Sequence, residues 1–236
     1  MFLKSIFNRR KSLQDSEILK GTSDRHSHIL YGVDDGVRTP EEALAILTYL
    51  EDVGITDLWC TPHVMEDTPN TTDALRLRYS ELCQLYDGSI RLHLAAEYML
   101  DNLFLERLSE KDLLTMGDDM VLVETSTVVP PYDLEGMLSD IMSAGYHPML
   151  AHPERYRFLD LDKIRRISSQ GVLLQLNIAS LTGYYGNTAR TKAEVLLKEG
   201  LYAAYGSDCH REKVIKDQYS RSELKRDVLE CIGKIR

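Results

Sequence analysis

A chain of 236 residues can bury a sizeable core unaided, and a makeup of 43% hydrophobic and 28% charged residues excludes a disordered chain. Lysine and arginine total 28 against 37 acids, a formal charge of −9 that disfavours nucleic acid as a partner. The longest unbroken apolar runs, 43–47 and 201–205, are too short to cross a membrane.

The chain opens on MFLKSIFNRRK, where Lys4, Arg9, Arg10 and Lys11 surround Phe2, Leu3, Ile6 and Phe7. A signal peptide needs a longer apolar stretch. Residues 1–20 therefore read as a flexible or peripheral extension, with at most weak membrane contact through 1–11. A single domain over 21–236 is expected to follow. A first short strand ends near His26. Thr39-Pro40-Glu41-Glu42 is a capping box with proline at the first helical position, and Ala43, Leu44, Ile46, Leu47, Leu50 and Val53 continue the helix to Gly54. Strands are predicted at 55–60, 90–96, 120–123, 149–151, 172–178 and 201–205. Helices are predicted at 72–86, 132–144, 161–169, 189–198 and 222–232, several ending at glycine. This alternation predicts one α/β domain whose β-α units form a closed or nearly closed barrel.

Polar residues follow these strands. The first is followed by His26-Ser27-His28, the next by His63, and later ones by Glu97, Glu124, His152 and Asp208-Cys209-His210. In parallel α/β barrels the carboxyl ends of the strands meet on one face, where active sites are built. His-x-His on an extended segment points both imidazoles to one side. Imidazole and carboxylate donors without thiolate suit Mn, Fe, Zn or Co in an open catalytic site. Cys60, Cys83, Cys209 and Cys231 are scattered, which fits a reducing cytoplasm. A cysteine-based phosphatase carries an arginine six residues after its nucleophile. Here those positions hold Glu66, Ser89 and Ile215, and Cys231 lies too close to the C-terminus. Cys209, between two candidate ligands, is expected to pack into the barrel wall. His93 and His147 match no site pattern.

The runs DRHSHILYGVDDG, TPH, AAEY, VET, AHPERY and GSDCH, spread over residues 22–212, closely resemble the PHP (polymerase and histidinol phosphatase) superfamily. More narrowly they resemble its bacterial protein-tyrosine phosphatases associated with capsule and exopolysaccharide synthesis. The resemblance implies a distorted (β/α)7 barrel holding three divalent ions, with Mn foremost. His26, His28, Glu97 and Asp208 would hold one ion. Glu97 would bridge to a second, held by Glu124 and His152, while Asp35, His63 and His210 would hold the third. Asp34 is the alternative to Asp35. Arg155 would clamp the phosphate, and Arg211 or Lys213 is a candidate second contact. Tyr31 replaces the proline usual in relatives. Tyr31 and Tyr156 are candidate pocket borders. The implied reaction is hydrolysis of phosphotyrosine by a metal-activated hydroxide. The implied partner is the C-terminal tail of a bacterial tyrosine autokinase. Two other readings stay open: another PHP phosphoesterase of the histidinol-phosphate type, and a non-catalytic metal-binding docking protein.

Overall fold

In the computed structural model the described residues are 10–235. They form eleven strands: β1 (Lys11–Ser12), β2 (Ser23–Ser27), β3 (Asp57–Cys60), β4 (His63–Val64), β5 (Arg91–Leu94), β6 (Glu97–Met99), β7 (Met120–Glu124), β8 (His147–Ala151), β9 (Leu173–Asn177), β10 (Tyr202–Gly206) and β11 (Glu223–Leu224). The fold is mixed α/β. One parallel sheet has the order β2-β3-β5 and a second the order β10-β9-β8-β7-β6-β4. Two junctions link the sheets. The Ala95 and Glu97 amides donate to the Cys60 and Pro62 carbonyls at 2.9 and 3.1 Å, carrying the β3·β5 pairing on into β4·β6. On the other side β10 returns to β2, where the Asp208 amide donates to the His26 carbonyl at 2.8 Å and the His28 amide to that of Cys209 at 3.0 Å.

The central strands read as apolar runs because they are covered on both faces. Val121, Leu122 and Val123 of β7 and Leu150 and Ala151 of β8 are fully buried. The helices present one apolar stripe to this sheet. In Pro40–Val53 that stripe is Ala43, Ile46, Leu47, Leu50 and Val53. Its start is the predicted one: the Thr39 hydroxyl accepts from the Glu42 amide at 3.3 Å, and Gly54 ends the helix at φ 97°.

Several expectations are corrected. The strands predicted at 55–60 and 90–96 are β3 and β5, and each is followed by a further short strand that was not predicted, β4 and β6; Pro62, with no amide to continue a ladder, separates β3 from β4. The last helix begins at Arg226 rather than at 222, since Glu223–Leu224 is drawn into antiparallel pairing with Lys11–Ser12. Helices Asn102–Glu110 and Glu212–Arg221 were not foreseen; Asp101 caps the first through the Phe104 amide at 2.9 Å. Residues 1–9, including most of the basic-apolar segment considered for membrane contact, lie outside the described residues. Residues 11–20 are not peripheral: Leu13 and Leu19 are completely buried, so hydrophobic burial fastens this segment to the domain.

Candidate metal centre

Eight of the nine candidate ligands stand at or just beyond the carboxyl end of a strand, and Asp35 lies in the loop between β2 and the helix Pro40–Val53. His26 lies in β2 with His28 just past it; His63 opens β4, Glu97 opens β6 and Glu124 closes β7. His152 follows β8, and Asp208 and His210 follow β10. Two of these residues occupy the left-handed region, His152 at φ 36° and Asp208 at φ 51°. That conformation costs a non-glycine residue about 1–2 kcal/mol, and such cost concentrates at functional sites. Two glycines permit the close approach of the walls. A Cβ on Gly206 would fall 2.3 Å from the His26 Cβ, and one on Gly36 would fall 2.3 Å from the His28 carbonyl oxygen.

The strand ends bring all nine candidates into one cluster of overlapping groups: His28 with Asp35, His63 and His210; His26 with His28 and Asp208; His26 with Glu97 and His152; His63 with Glu97 and Glu124. Within each group the donor atoms lie within 4.8 Å of one another. Glu97 is the hub. Its Oε2 is 3.2 Å from His26 Nε2, 3.3 Å from His28 Nε2 and 3.2 Å from His63 Nδ1, and its Oε1 is 3.1 Å from His152 Nε2. Asp35 Oδ1 lies 3.6 Å from His63 Nε2 and 3.3 Å from His210 Nε2, on a side chain that is 74% exposed.

Asp34, the alternative to Asp35, is already committed. Its Oδ2 accepts from His28 Nδ1 at 2.9 Å and from the His63 amide at 3.0 Å, and its Oδ1 accepts from the Gly36 amide at 2.9 Å. This carboxylate orients His28 and leaves Nε2 facing the cluster. Gln175 does the same for His26: its Oε1 lies 2.7 Å from His26 Nδ1 while its Nε2 donates to the Arg25 carbonyl. His210 is held through Nδ1 by the Asp208 carbonyl at 2.9 Å. Partners of this kind fix the tautomer and ring orientation of metal-binding histidines.

Electrostatics and stereochemistry both fit a divalent cation. Burial pushes the Glu97 carboxyl up, but His26, His152 and His28 outweigh it and hold it well below its usual range. Asp208 is likewise pulled well down against its burial by His26 and His28. The converse holds at His28: burial lowers the imidazole, yet Asp208, Asp34 and Glu97 raise it well above its ordinary value. Protons on the rings thus balance buried carboxylates that a metal ion would otherwise neutralise. The Nδ1 atoms of His63 and His152 are buried without a hydrogen-bond partner among the described residues. His63 Nδ1 sits 3.2 Å from oxygens of both Glu97 and Glu124, but off hydrogen-bond geometry. An orphaned nitrogen between two carboxylates, in a donor set without thiolate, fits a metal that takes N and O ligands.

Arg155 lies in the 3-10 turn Pro153–Arg155 and donates through Nη1 to Asp208 Oδ2 at 2.7 Å. Arg211 donates to the backbone carbonyls of Gly36 and His210, while Lys213 is exposed. Tyr156 is fully buried with its ring 5.7 Å from that of His152. Tyr31 instead carries Arg78 over its ring and donates to Glu81. Cys209 is buried in the wall, and burial pushes its thiol well up, away from a nucleophilic thiolate. Sequence reasoning missed Gln175, Asn177 and Tyr185. The first two had a visible signal, since they alternate as polar residues in the otherwise apolar strand Leu173–Asn177.

A cluster of imidazoles and carboxylates at the carboxyl ends of parallel strands, with a half-buried arginine beside it, defines a metal-dependent hydrolase. The family model for capsular polysaccharide synthesis, CpsB/CapC, matches residues 22–222, and the chain belongs to that family. CapC of Staphylococcus aureus is 26% identical over 213 residues, covering 86% of this chain and 84% of the relative. The tyrosine-protein phosphatase CpsB of Streptococcus pneumoniae is 29% identical over 201 residues, covering 79% and 82%. Among solved structures, one described with YwqE from Bacillus subtilis and CpsB from Streptococcus pneumoniae as metal-dependent tyrosine phosphatases shares the fold. Its TM-score is 0.76 at 24% identity, over 82% of this chain and 81% of that one.

Proposed function

We propose that this chain is a metal-dependent protein-tyrosine phosphatase working on a seven-stranded PHP-type barrel within residues 21–236. The gathering of nine donor side chains into one cluster of overlapping groups carries this reading. In it His26, His28, Glu97 and Asp208 hold one ion, Glu97, Glu124 and His152 a second, and Asp35, His63 and His210 a third. The donor set suits Mn, Fe, Zn or Co, and the family resemblance favours Mn among them. Bound there, divalent ions lower the pKa of water toward neutrality and offset charge on the phosphoryl oxygens.

The chain's own residues supply the rest. Asp34 and Gln175 hold His28 and His26 with their Nε2 atoms toward the cluster. Arg155 donates only through Nη1 to a described residue, so the rest of its planar fork is available for phosphoryl oxygens. A tyrosyl leaving group, with a pKa of about 10, needs less proton donation than a serine alkoxide. No cysteine participates. A chain of this family, with no helix among the described residues long and apolar enough to cross a membrane, fits a cytoplasmic role on a phosphotyrosine-bearing protein. The proposed substrate is the C-terminal tail of a tyrosine autokinase that controls polysaccharide export.

The test is turnover of matched phosphotyrosyl and phosphoseryl peptides and histidinol phosphate by Mn-loaded protein. Selective turnover of the phosphotyrosyl peptide is expected. Preference for histidinol phosphate would move the chain to the small-molecule phosphatases, and absence of turnover with metal bound would make it a docking protein.

A further inference from the structure

Asp208 uses its two oxygens for different things. Its Oδ1 faces the imidazoles, at 3.6 Å from His26 Nε2, 3.3 Å from His28 Nε2 and 3.4 Å from His210 Nδ1. Its Oδ2 accepts from Arg155 Nη1 at 2.7 Å and from Asn177 Nδ2 at 2.8 Å, with the Tyr185 hydroxyl at 3.4 Å. The Tyr185 ring also lies beneath Arg155, whose guanidinium carbon is 4.2 Å from the ring centroid. Asn177 is itself locked. Its amide N–H donates to Glu154 Oε1 at 3.0 Å, and its side-chain oxygen accepts from the Ala179 amide at 3.0 Å, which leaves Nδ2 for Asp208 and for the Tyr185 hydroxyl at 3.3 Å. Glu154 is buried and also accepts from the Ser180 and Tyr202 hydroxyls at 2.7 and 2.9 Å.

We infer that Asn177 and Tyr185 are positioning residues: Asn177 reserves Oδ2 of Asp208 so that Oδ1 alone is offered to a metal, and Tyr185 fixes the plane of Arg155. This inference rests on the metallophosphatase reading. A carboxylate with one oxygen engaged cannot swing to chelate through both, so its geometry toward the cluster is set before an ion arrives. Loss of such an outer partner typically costs about 10–100-fold in metal affinity. Arg155, hydrogen-bonded at one nitrogen and stacked across its face, is held more firmly than an exposed arginine. Its remaining nitrogens then meet a phosphoryl group without first being ordered. Asn177 and Arg155 thereby tie the metal ligand and the phosphate clamp to one oxygen atom.

Asn177→Ser is the discriminating variant, because serine caps a helix as well as asparagine but cannot reach Asp208. Mn²⁺ affinity is read by competition with a chelator, alongside the melting temperature of metal-free protein and kcat on a phosphotyrosyl peptide. Asn177→Ser should bind Mn²⁺ about 10–100-fold more weakly, with an unchanged metal-free melting temperature and with kcat largely recovered at saturating Mn²⁺. Asn177→Thr serves as the second variant should the first fold poorly. Tyr185→Leu should lose about tenfold in kcat at saturating Mn²⁺, and Tyr185→Phe, which keeps the ring, should restore it. Wild-type affinity in both Asn177 variants, or wild-type kcat in Tyr185→Leu, would overturn the inference. Failure of the wild-type protein to take up Mn²⁺ would overturn the metallophosphatase reading itself and the inference with it, so the two failures are told apart.

Discussion

The two ends of the same strands carry the same residue types to different effect. β8 begins with His147 and is followed by His152. His147 pairs with Asp119 at 2.9 Å with 64% of its side chain exposed, whereas His152 is buried against Glu97. β5 repeats the contrast. His93 stacks on Trp59 at 4.6 Å and reaches Asp57 at 3.1 Å, and Arg91 clamps the same aspartate through two nitrogens at 2.8 and 2.6 Å. At the amino ends, then, an acid next to a histidine meets solvent or an arginine and is an ordinary surface ion pair. At the carboxyl ends, imidazoles and carboxylates are packed together, and among the described residues Arg155 is the one arginine or lysine that ion-pairs with their carboxylates. Residue type alone does not make a metal centre. Burial of acids beyond what the side-chain cations can neutralise does.

The largest effect that tests this contrast is loss of the hub. Glu97→Ala should lower kcat by about a thousandfold and metal content with it, and chelation of the wild type should abolish turnover until Mn²⁺ is restored. Elemental analysis beside turnover checks both, and full activity after exhaustive chelation would break the comparison. Arg155→Lys comes next. A single point charge replacing a fork that touches phosphoryl oxygens should cost about a hundredfold in kcat while metal content falls far less. Parallel loss of metal and activity would reduce Arg155 to an anchor for Asp208.

Two smaller effects sharpen the comparison from the other side. Serine at all four cysteine positions should leave kcat within about twofold, because burial pushes the Cys60 and Cys209 thiols well up and Cys83 and Cys231 lie outside the donor cluster. A stable thiophosphate in the wild type would reverse that assignment. Finally, Asp57→Asn at the amino end should leave kcat unchanged and lower the melting temperature by only about 2 °C near neutrality. Arg91 holds the Asp57 carboxyl far below its ordinary 3.8. A depressed folded-state value contributes stability above the unfolded value and loses it as pH falls. The difference between wild type and Asp57→Asn should therefore shrink progressively below pH ~4. A difference that grew on acidification would mean that the ion pair does not stabilise the fold.

Much was determined by the sequence alone, wherever the signal was local. The capping box at Thr39, the glycine stop at Gly54 and the apolar runs of β7 to β10 marked their elements because propensity and burial act over a few residues. The ligand types at the strand ends were legible for the same reason: a polar residue directly after a buried run has few bland explanations. Longer-range contact decided the rest. Glu223 and Leu224 look like the start of a helix until Lys11 and Ser12, more than two hundred residues earlier, offer a strand partner. The motif resemblance favoured Asp35 over Asp34, but only the structure shows that Asp34 spends its oxygens on His28, His63 and Gly36. Gln175, Asn177 and Tyr185 carry no motif of their own, and their roles exist only because β9 and the turn after it lie beside His26 and Asp208. The chain encodes which donors it has through chemistry visible one residue at a time. Which atom of His26 and of Asp208 faces the cluster is set by hydrogen bonds from Gln175 and Asn177 of β9, and those exist only once the sheets have closed around them.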